Sequence, residues 1–412
     1  MKFNSVQDVA RWRLCVGCGV CAGACPNKAI TLTDVASEGI RPHVRPEACR
    51  MCGDCLKVCP GYMVVHDYLD SGMLVIKELM AGWGPILEIW EGCAIDAELR
   101  YHGSSGGVTS ALALFCLEKM GFDSILHTGI NPDNPLRNET KISRCRLDLV
   151  ATTGSRYSPA SPCDGIGRVE TSNGKTAFVG KPCDVQGLRK LQSVKPWVAE
   201  RFGAAIGVFC AGTPSSMGTM ELLRQMNIDP GYVGSVRYRG RGWPGNFSVY
   251  KDREQITLGE MSYMDAWGFL QKYRPFRCYL CPDGTSESAD VSCGDPWYRD
   301  FDDGGVGYTL VLIRTEKGRE IVHGAIDAGY VALHRTGQQA LVKSQKNLLE
   351  KRKAVWGRLL AMRILGVPTP TYDGFPLFKN WLGLPMSEKS RSVLGTVRRV
   401  IQRGYRKPEK VQ

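Results

Sequence analysis

Apolar positions recur at helical intervals over 108–117, where Val108, Ala111, Leu112, Leu114, Phe115 and Leu117 follow a stretch rich in Gly and Ser. Residues 104–119 therefore read as a loop feeding a helix. Apolar runs predict strands at 123–130, 175–180 and 205–210, with helices after Pro182 and across 215–226. This alternation points to an α/β body. Upstream, 29–33 and 40–44 are short β-prone segments of the kind that build a small hairpin. Downstream, 234–239 and 247–251 read as strands bracketing a Gly-rich turn. Near the end, Leu348, Leu349, Val355, Trp356, Leu359, Leu360 and Leu365 occupy one side of a helix. Lys351, Arg352, Lys353, Arg358 and Arg363 break the rest, and Pro368 and Pro370 end it.

At 412 residues the chain exceeds one ordinary core, so two or three domains are expected. Its 43% hydrophobic and 23% charged residues exclude global disorder and a polytopic membrane protein. Charges at Lys2, Asp8, Arg11 and Arg13 interrupt any apolar signal core, and the longest uncharged window, 202–220, contains Pro214. No export and no membrane-spanning helix are expected. The net charge of +12 is unevenly placed: residues 343–412 hold 16 Lys and Arg against 4 Asp and Glu, while the first 342 hold 37 of each. Such a basic tail suits an acidic redox protein, an anionic cofactor or a phospholipid surface for peripheral membrane contact. A plain solvated helix is the alternative. No nucleic-acid module is recognisable, so no nucleic-acid partner is expected.

Seventeen cysteines are many for this length, and eight crowd into 15–59. Cys15, Cys18, Cys21 and Cys25, the last followed by Pro26, form C-x2-C-x2-C-x3-C-P; Cys49, Cys52, Cys55 and Cys59, followed by Pro60, repeat it. Three thiolates at three-residue steps wrap one 4Fe-4S cube, and the fourth reaches across to the other. The expected sets are Cys15, Cys18, Cys21 and Cys59 for the first cluster, and Cys49, Cys52, Cys55 and Cys25 for the second. Two structural zinc sites are the competing reading; zinc sites usually pair two C-x2-C elements and do not need the triple step. A reducing, cytoplasmic location follows from either reading. This region, about the first sixth of the chain, resembles bacterial two-cluster ferredoxins.

A second set of motifs runs through the body: Gly103-Ser104-Ser105-Gly106-Gly107-Val108-Thr109, Gly154-Ser155-Arg156-Tyr157, Val179-Gly180-Lys181-Pro182-Cys183 and Phe209-Cys210. Tyr238-Arg239-Gly240, Gly242-Trp243-Pro244-Gly245, Cys278-x-x-Cys281-Pro282-Asp283 and Gly294-Asp295 follow. In this order they resemble the coenzyme F420 hydrogenase/dehydrogenase beta-subunit family, from about residue 91 to about residue 341. The resemblance implies an iron–sulfur flavoprotein oxidoreductase binding FAD, with coenzyme F420 or an unsaturated organic substrate as hydride partner, ferredoxin or another redox protein as electron partner, and a place in a larger redox complex. A non-catalytic electron-transfer subunit, or an accessory protein of polysaccharide biosynthesis, is the alternative within the same family. The expected organisation is an α+β ferredoxin-like domain at 5–66, the family's N-terminal region at 85–168 and its C-terminal region at 169–342 as an α/β flavin-binding body, and a basic helical tail at 343–412.

Within that frame, Ser104, Ser105, Gly106, Gly107, Val108 and Thr109 are the candidate site for a flavin diphosphate, because small residues let backbone N–H groups approach an anion at a helix N-terminus. Arg156, Tyr157 and Lys181 are further candidate flavin contacts. Cys183, Cys210, Cys278 and Cys281 are candidate ligands of a third 4Fe-4S cluster, with Cys293 as the substitute and buried free thiols as the alternative. Gly240-x-Gly242-x-x-Gly245 formally matches a dinucleotide fingerprint, but Pro244 and the strand-like 246–251 argue against Rossmann binding. Cys93, Cys116, Cys145 and Cys163 are expected as packing or surface thiols. Of the six histidines only His102, beside the Gly-rich loop, is positioned for a role.

Overall fold

The computed structural model describes residues 3–66, 74–172, 174–252, 255–300, 305 and 307–409. The N-terminal segment forms a hairpin of β1 (Ile30–Val35) and β2 (Gly39–Val44), turned at Gly39, whose φ of 83° suits glycine. It also contributes β3 (Met63–Val65). The body's main sheet draws on β4 (Glu88–Ala94), β5 (Phe122–Ile130), β6 (Asn138–Ser143), β7 (Lys175–Gly180) and β8 (Phe202–Val208). A smaller antiparallel sheet holds β9 (Ser235–Arg237), β10 (Asn246–Tyr250) and β11 (Thr257–Ser262). The main sheet is completed by β12 (Val291–Gly294), β13 (Thr309–Ile313) and β14 (Val331–Arg335), giving the order β14-β4-β13-β12-β8-β7-β5-β6.

Within it β5, β7, β8 and β12 run parallel, and β4 shares their direction because both it and β12 lie antiparallel to β13. The carboxyl ends of β4, β7, β8 and β12 therefore open on one edge, where open α/β sheets place their ligands. The helix at Val108–Lys119 begins where the periodicity placed it and buries Val108 and 111–116 against the sheet. Residues 182–192 and 216–225 are helices and 246–250 a strand, all as expected. Strands β12 and β13 and the helix at Glu316–Asp327 are additional; their apolar runs are short, and strand pairing across the sheet stabilises them more than local pattern does.

The helix Lys346–Ile364 is not a surface helix with one wet side. Arg352 is buried, paired with Glu287, and donates to Ala81 O at 3.1 Å. Arg358 donates to Tyr279 O at 2.5 Å. Arg352 and Arg358 on the expected polar side thus reach inward to carbonyls and a carboxylate, which lets this stretch of the helix sit inside the protein, while Arg363 stays exposed. Val355, Leu359, Met362, Val400 and Tyr405 share one core with Phe3, Val6, Val9 and Leu14 of the N-terminal region. A further strand, β15 (Thr371–Asp373), pairs in parallel with β3, and Arg13 bonds Lys407 O and Glu409. Residues 343–409 hold helices at Lys346–Ile364, Leu377–Leu382 and Met386–Gln402 beside β15, and they fasten the N-terminal region to the body; Arg391, Arg398, Arg403 and Arg406 remain exposed. Among the described residues no helix is long and apolar enough to cross a membrane.

A Cβ at Gly357 would strike Ser392 Oγ and come within 2.6 Å of Trp381 Nε1, so Gly357→Val should cost about 2 kcal/mol by prising the 346–364 and 386–402 helices apart, read from anaerobic urea unfolding. Burial raises the Glu287 carboxyl from 4.5 to about 7, against the pull of Arg352. Between those values the folded chain holds a proton that the unfolded chain has released, so this group's contribution to stability falls as pH rises through the window. Glu287→Gln should accordingly gain on the native protein as pH rises from about 5 to about 8; a flat difference would contradict the assignment.

Candidate functional site

The two N-terminal cysteine runs fold into facing arms. Cys15, Cys18, Cys21 and Cys59 line one cavity together with Val6, Val9, Leu32 and Ile40. This is the set expected for the first cluster. Gly17 N–H points at Cys15 Sγ at 3.4 Å, and Ala29 N–H at Cys25 Sγ at 3.3 Å, donors of the kind that stabilise cluster sulfurs. Cys55 feels the charges of Cys52 and Cys25, as members of the second set would. Burial pushes the Cys59 thiol up to about 12, and it raises Cys21 well above its ordinary value. Thiols so desolvated give up their protons on metal binding. Among the described residues no three Cys, His, Asp or Glu side chains converge on a single-ion site.

A larger cleft that opens to solvent is lined by Cys183, Cys210, Cys278 and Cys281. Cys183 follows β7 at the start of the 182–192 helix, Cys210 follows β8, and the C-x2-C pair lies on and just after the short helix Phe276–Tyr279. Separate elements thus deliver four thiols to one place, as the third-cluster expectation requires. Cys15, Val16 and Gly17 also line this cleft. The two sites therefore adjoin, and a second contact ties them: a Cβ at Gly187 would lie 3.3 Å from Cys18 Sγ, on the helix that begins with Cys183. Cys163, expected as a packing thiol, is buried in this contact; its sulfur approaches Asp184 O at 3.2 Å and interacts with Cys18. Cys293 lies elsewhere, buried on β12 and hydrogen-bonded with Thr109.

Lys181 also lines the cleft. Burial alone would lower its pKa, but Asp184 at 2.7 Å, with Cys183 and Cys210 nearby, raises it above the ordinary value. It is a fixed cation beside the thiols of the third site. Lys351 and Arg277 line the same cleft. Arg277 donates to Leu14 O at 3.0 Å, Pro60 O at 3.2 Å and the Tyr372 hydroxyl.

The loop 104–107 sits on the same edge of the sheet, after β4. Gly106 and Gly107 have φ of 63° and 73°, and side chains there would run into Gly307 O and Leu99 O. The twelve-residue helix that follows has no side-chain cap, which leaves its first-turn amides for an anion. Ser104 Oγ accepts from Ser155 N at 2.6 Å, and Ser105 Oγ donates to Asp295 at 2.6 Å. Residues 103–107 also fit the Gly-x-Ser-x-Gly form of a nucleophile elbow. The carboxylate that accepts from Ser105 is itself held by Arg239 and Trp243, an arrangement that locks the hydroxyl instead of activating it.

Asp295 is the hub that pattern reading did not single out, although Gly294-Asp295 and Tyr238-Arg239 stand among the quoted motifs. Arg239, 1% exposed, binds both Asp295 oxygens and lies over the Tyr263 and Trp297 rings. Tyr263 and Trp297 stack at 5.5 Å, and Trp243 stacks on Trp297 at 5.6 Å. Tyr157 joins this aromatic wall through Tyr263 and Trp267. Arg156 is spent on Asn138, Pro135 O and Val236 O, so it braces the loop from behind. His102 lends its carbonyl to Arg237 at 3.3 Å, a structural bond.

Three family models match the chain: the 4Fe-4S dicluster domain over 14–61, and the N-terminal and C-terminal domains of the coenzyme F420 hydrogenase/dehydrogenase beta subunit over 89–166 and 173–339. The chain is 27% identical over 336 residues to the coenzyme F420-dependent sulfite reductase of Methanocaldococcus jannaschii, covering 78% of this chain and 47% of that protein, just under half its length. It is 23% identical to the beta subunit of coenzyme F420 hydrogenase from Methanococcus voltae, covering 67% and 95% of the two chains. With a subunit of the F420H2 dehydrogenase of Methanosarcina mazei it shares 22% identity over 76% of this chain and 83% of the other. The fold resembles a chain of the F420-reducing [NiFe] hydrogenase complex from Methanosarcina barkeri, with a TM-score of 0.54 and 22% identity over 71% of this chain and 96% of that one. Matched in order across both of its family domains and carrying a dicluster domain in front, the chain belongs to the coenzyme F420 hydrogenase/dehydrogenase beta-subunit family of oxidoreductase subunits.

Proposed function

We propose that this chain is an iron–sulfur flavoprotein subunit that passes single electrons along three 4Fe-4S clusters and exchanges hydride with coenzyme F420, or with an unsaturated organic substrate, at FAD. The observation that carries the reading is the shared cleft, whose lining brings Cys15 together with Cys183, Cys210, Cys278 and Cys281. Cys15, Cys18, Cys21 and Cys59 would hold the first cluster, Cys25, Cys49, Cys52 and Cys55 the second, and the four cleft cysteines the third. When bound, the clusters supply one-electron steps and the flavin joins them to a two-electron step.

The residues around these sites do the rest. Lys181, Lys351 and Arg277 set positive charge beside the cleft thiolates, which offsets the cost of gathering negative sulfur in a dry place. Gly106 and Gly107, with the amides of Val108 and Thr109, would take the flavin diphosphate; Arg239, fixed by Asp295, and the wall of Trp243, Tyr263 and Trp297 would bound the side on which a planar ring lies. Tyr157 belongs to that wall, and Arg156 keeps the 154–157 segment against it. The names of the relatives favour F420 as hydride partner. The relatives named as hydrogenase and dehydrogenase subunits favour work inside a larger redox assembly, and the cysteine-rich sequence suits a reducing cytoplasm. A purely electron-transferring subunit is the second reading.

Anaerobically purified protein should hold about twelve iron, about twelve sulfide and one FAD per chain. Cys183→Ser and Cys281→Ser should each lower iron to about eight while the N-terminal clusters persist in their low-temperature EPR signal. Zinc without sulfide would overturn the scheme. Gly107→Val should empty the flavin site at unchanged iron content, and F420H2 oxidation with a dye acceptor should then vanish. Turnover that survives the loss of flavin would defeat the flavin assignment, and a flavin-loaded native protein that never oxidises F420H2 would favour the second reading.

A further inference from the structure

Among the three cysteine sets only the second contains an exposed thiol. Cys18, Cys21 and Cys59 are buried and Cys15 is half-buried, and the cleft cysteines Cys183, Cys210, Cys278 and Cys281 are half-buried. In the second set Cys52 is exposed and Cys49 and Cys55 are half-buried. Since electron exchange falls off steeply with distance, the outermost set is where a protein carrier comes nearest, and the contacts run inward from it: Cys55 is an electrostatic neighbour of Cys21, Cys21 shares a cavity with Cys15 and Cys18, and Cys18 and Cys15 adjoin the cleft.

The loop over that outer set carries two further features. Met51 is 76% exposed and holds a left-handed backbone with φ of 52°, so an apolar side chain is presented to water on a conformation that L-residues rarely adopt. Lys28, Arg45, Arg50 and Lys57 on the same cysteine-bearing segment are exposed; Arg45 donates to Lys28 O at 2.7 Å, and Lys195 is close enough to act on Asp54. Glu47 is the exposed acid beside the loop, and Asp54 is taken up by Lys57 at 2.8 Å. An exposed apolar tip on a segment whose exposed charges are mostly basic is complementary to a carrier whose own cluster is ringed by carboxylates.

We propose that the 49–54 loop is the port where an acidic one-electron carrier protein of the ferredoxin type docks and exchanges electrons with the second cluster, a reading that rests on the cluster assignments above. Each exchange oxidises one partner by one electron and reduces the other by one. The path inside the chain then runs second cluster, first cluster, third cluster.

Arg50→Glu and Met51→Asp, both on exposed side chains, test it in the iron-loaded full chain. Stopped-flow reduction by an acidic two-cluster ferredoxin should slow at least tenfold in each variant, and its salt dependence should weaken in Arg50→Glu. Reduction by dithionite, iron content and the cluster EPR spectrum should stay as in the native protein. Arg398→Glu, the same charge change on the exposed C-terminal helix, should leave the ferredoxin rate intact. Native ferredoxin rates in both loop variants, or a loss confined to Arg398→Glu, would overturn the port. A native protein that dithionite reduces but the ferredoxin does not would overturn the partner class. Failure of dithionite itself to reduce the native protein would instead strike the cluster assignments.

Discussion

Arg277 is the interaction on which the rest of the structure depends. Its guanidinium, 3% exposed, reaches the carbonyl before Cys15, the carbonyl of the proline after Cys59 and the hydroxyl of Tyr372. Its own backbone sits next to Cys278. A buried guanidinium is tolerated only where its N–H groups find acceptors, and here the acceptors belong to three parts of the chain that are far apart in sequence. Satisfying one cation therefore fixes the ferredoxin-like arms, the C-x2-C pair and the C-terminal region in a single arrangement. The adjoining cysteine sites follow from that arrangement.

The same economy explains the C-terminal region. Its basic composition suggested a solvated helix or a docking tail, yet Arg352 and Arg358 of the 346–364 helix turn inward to carbonyl oxygens and to Glu287. The apolar residues between them complete a core begun by Phe3, Val6, Val9 and Leu14. A ferredoxin-like module of this size has little interior of its own, and borrowing the 346–405 segment gives it one. The charge that remains outside, at Arg391, Arg398, Arg403 and Arg406, is a separate surface.

The 104–107 loop and the cysteine cleft lie on one edge of the sheet because β4, β7, β8 and β12 end there together. Gly106, Gly107 and the uncapped helix offer amides; Cys183 and Cys210 offer sulfur. Asp295 links the two halves of the loop region by holding Arg239, Trp243 and Ser105 at once. Lys181, which the motif order suggested for the flavin, borders the cysteines because it leaves β7 one strand away from β8 and turns into the helix that carries Cys183.

Much of this was legible in the chain itself. Ligand spacing is local: three-residue steps and a closing Cys-Pro specify a cluster arm through bond lengths and turn geometry alone, and the helix at 108–119 follows from its own periodicity. Family membership was legible too, through short motifs in a fixed order. What the linear pattern could not supply is everything that depends on distant residues meeting. The cleft shared by Cys15 and Cys183, the inward turn of Arg352, the burial of Cys163 against Cys18 and the central place of Asp295 come from packing, where the need to pair every buried charge selects contacts that no local window contains.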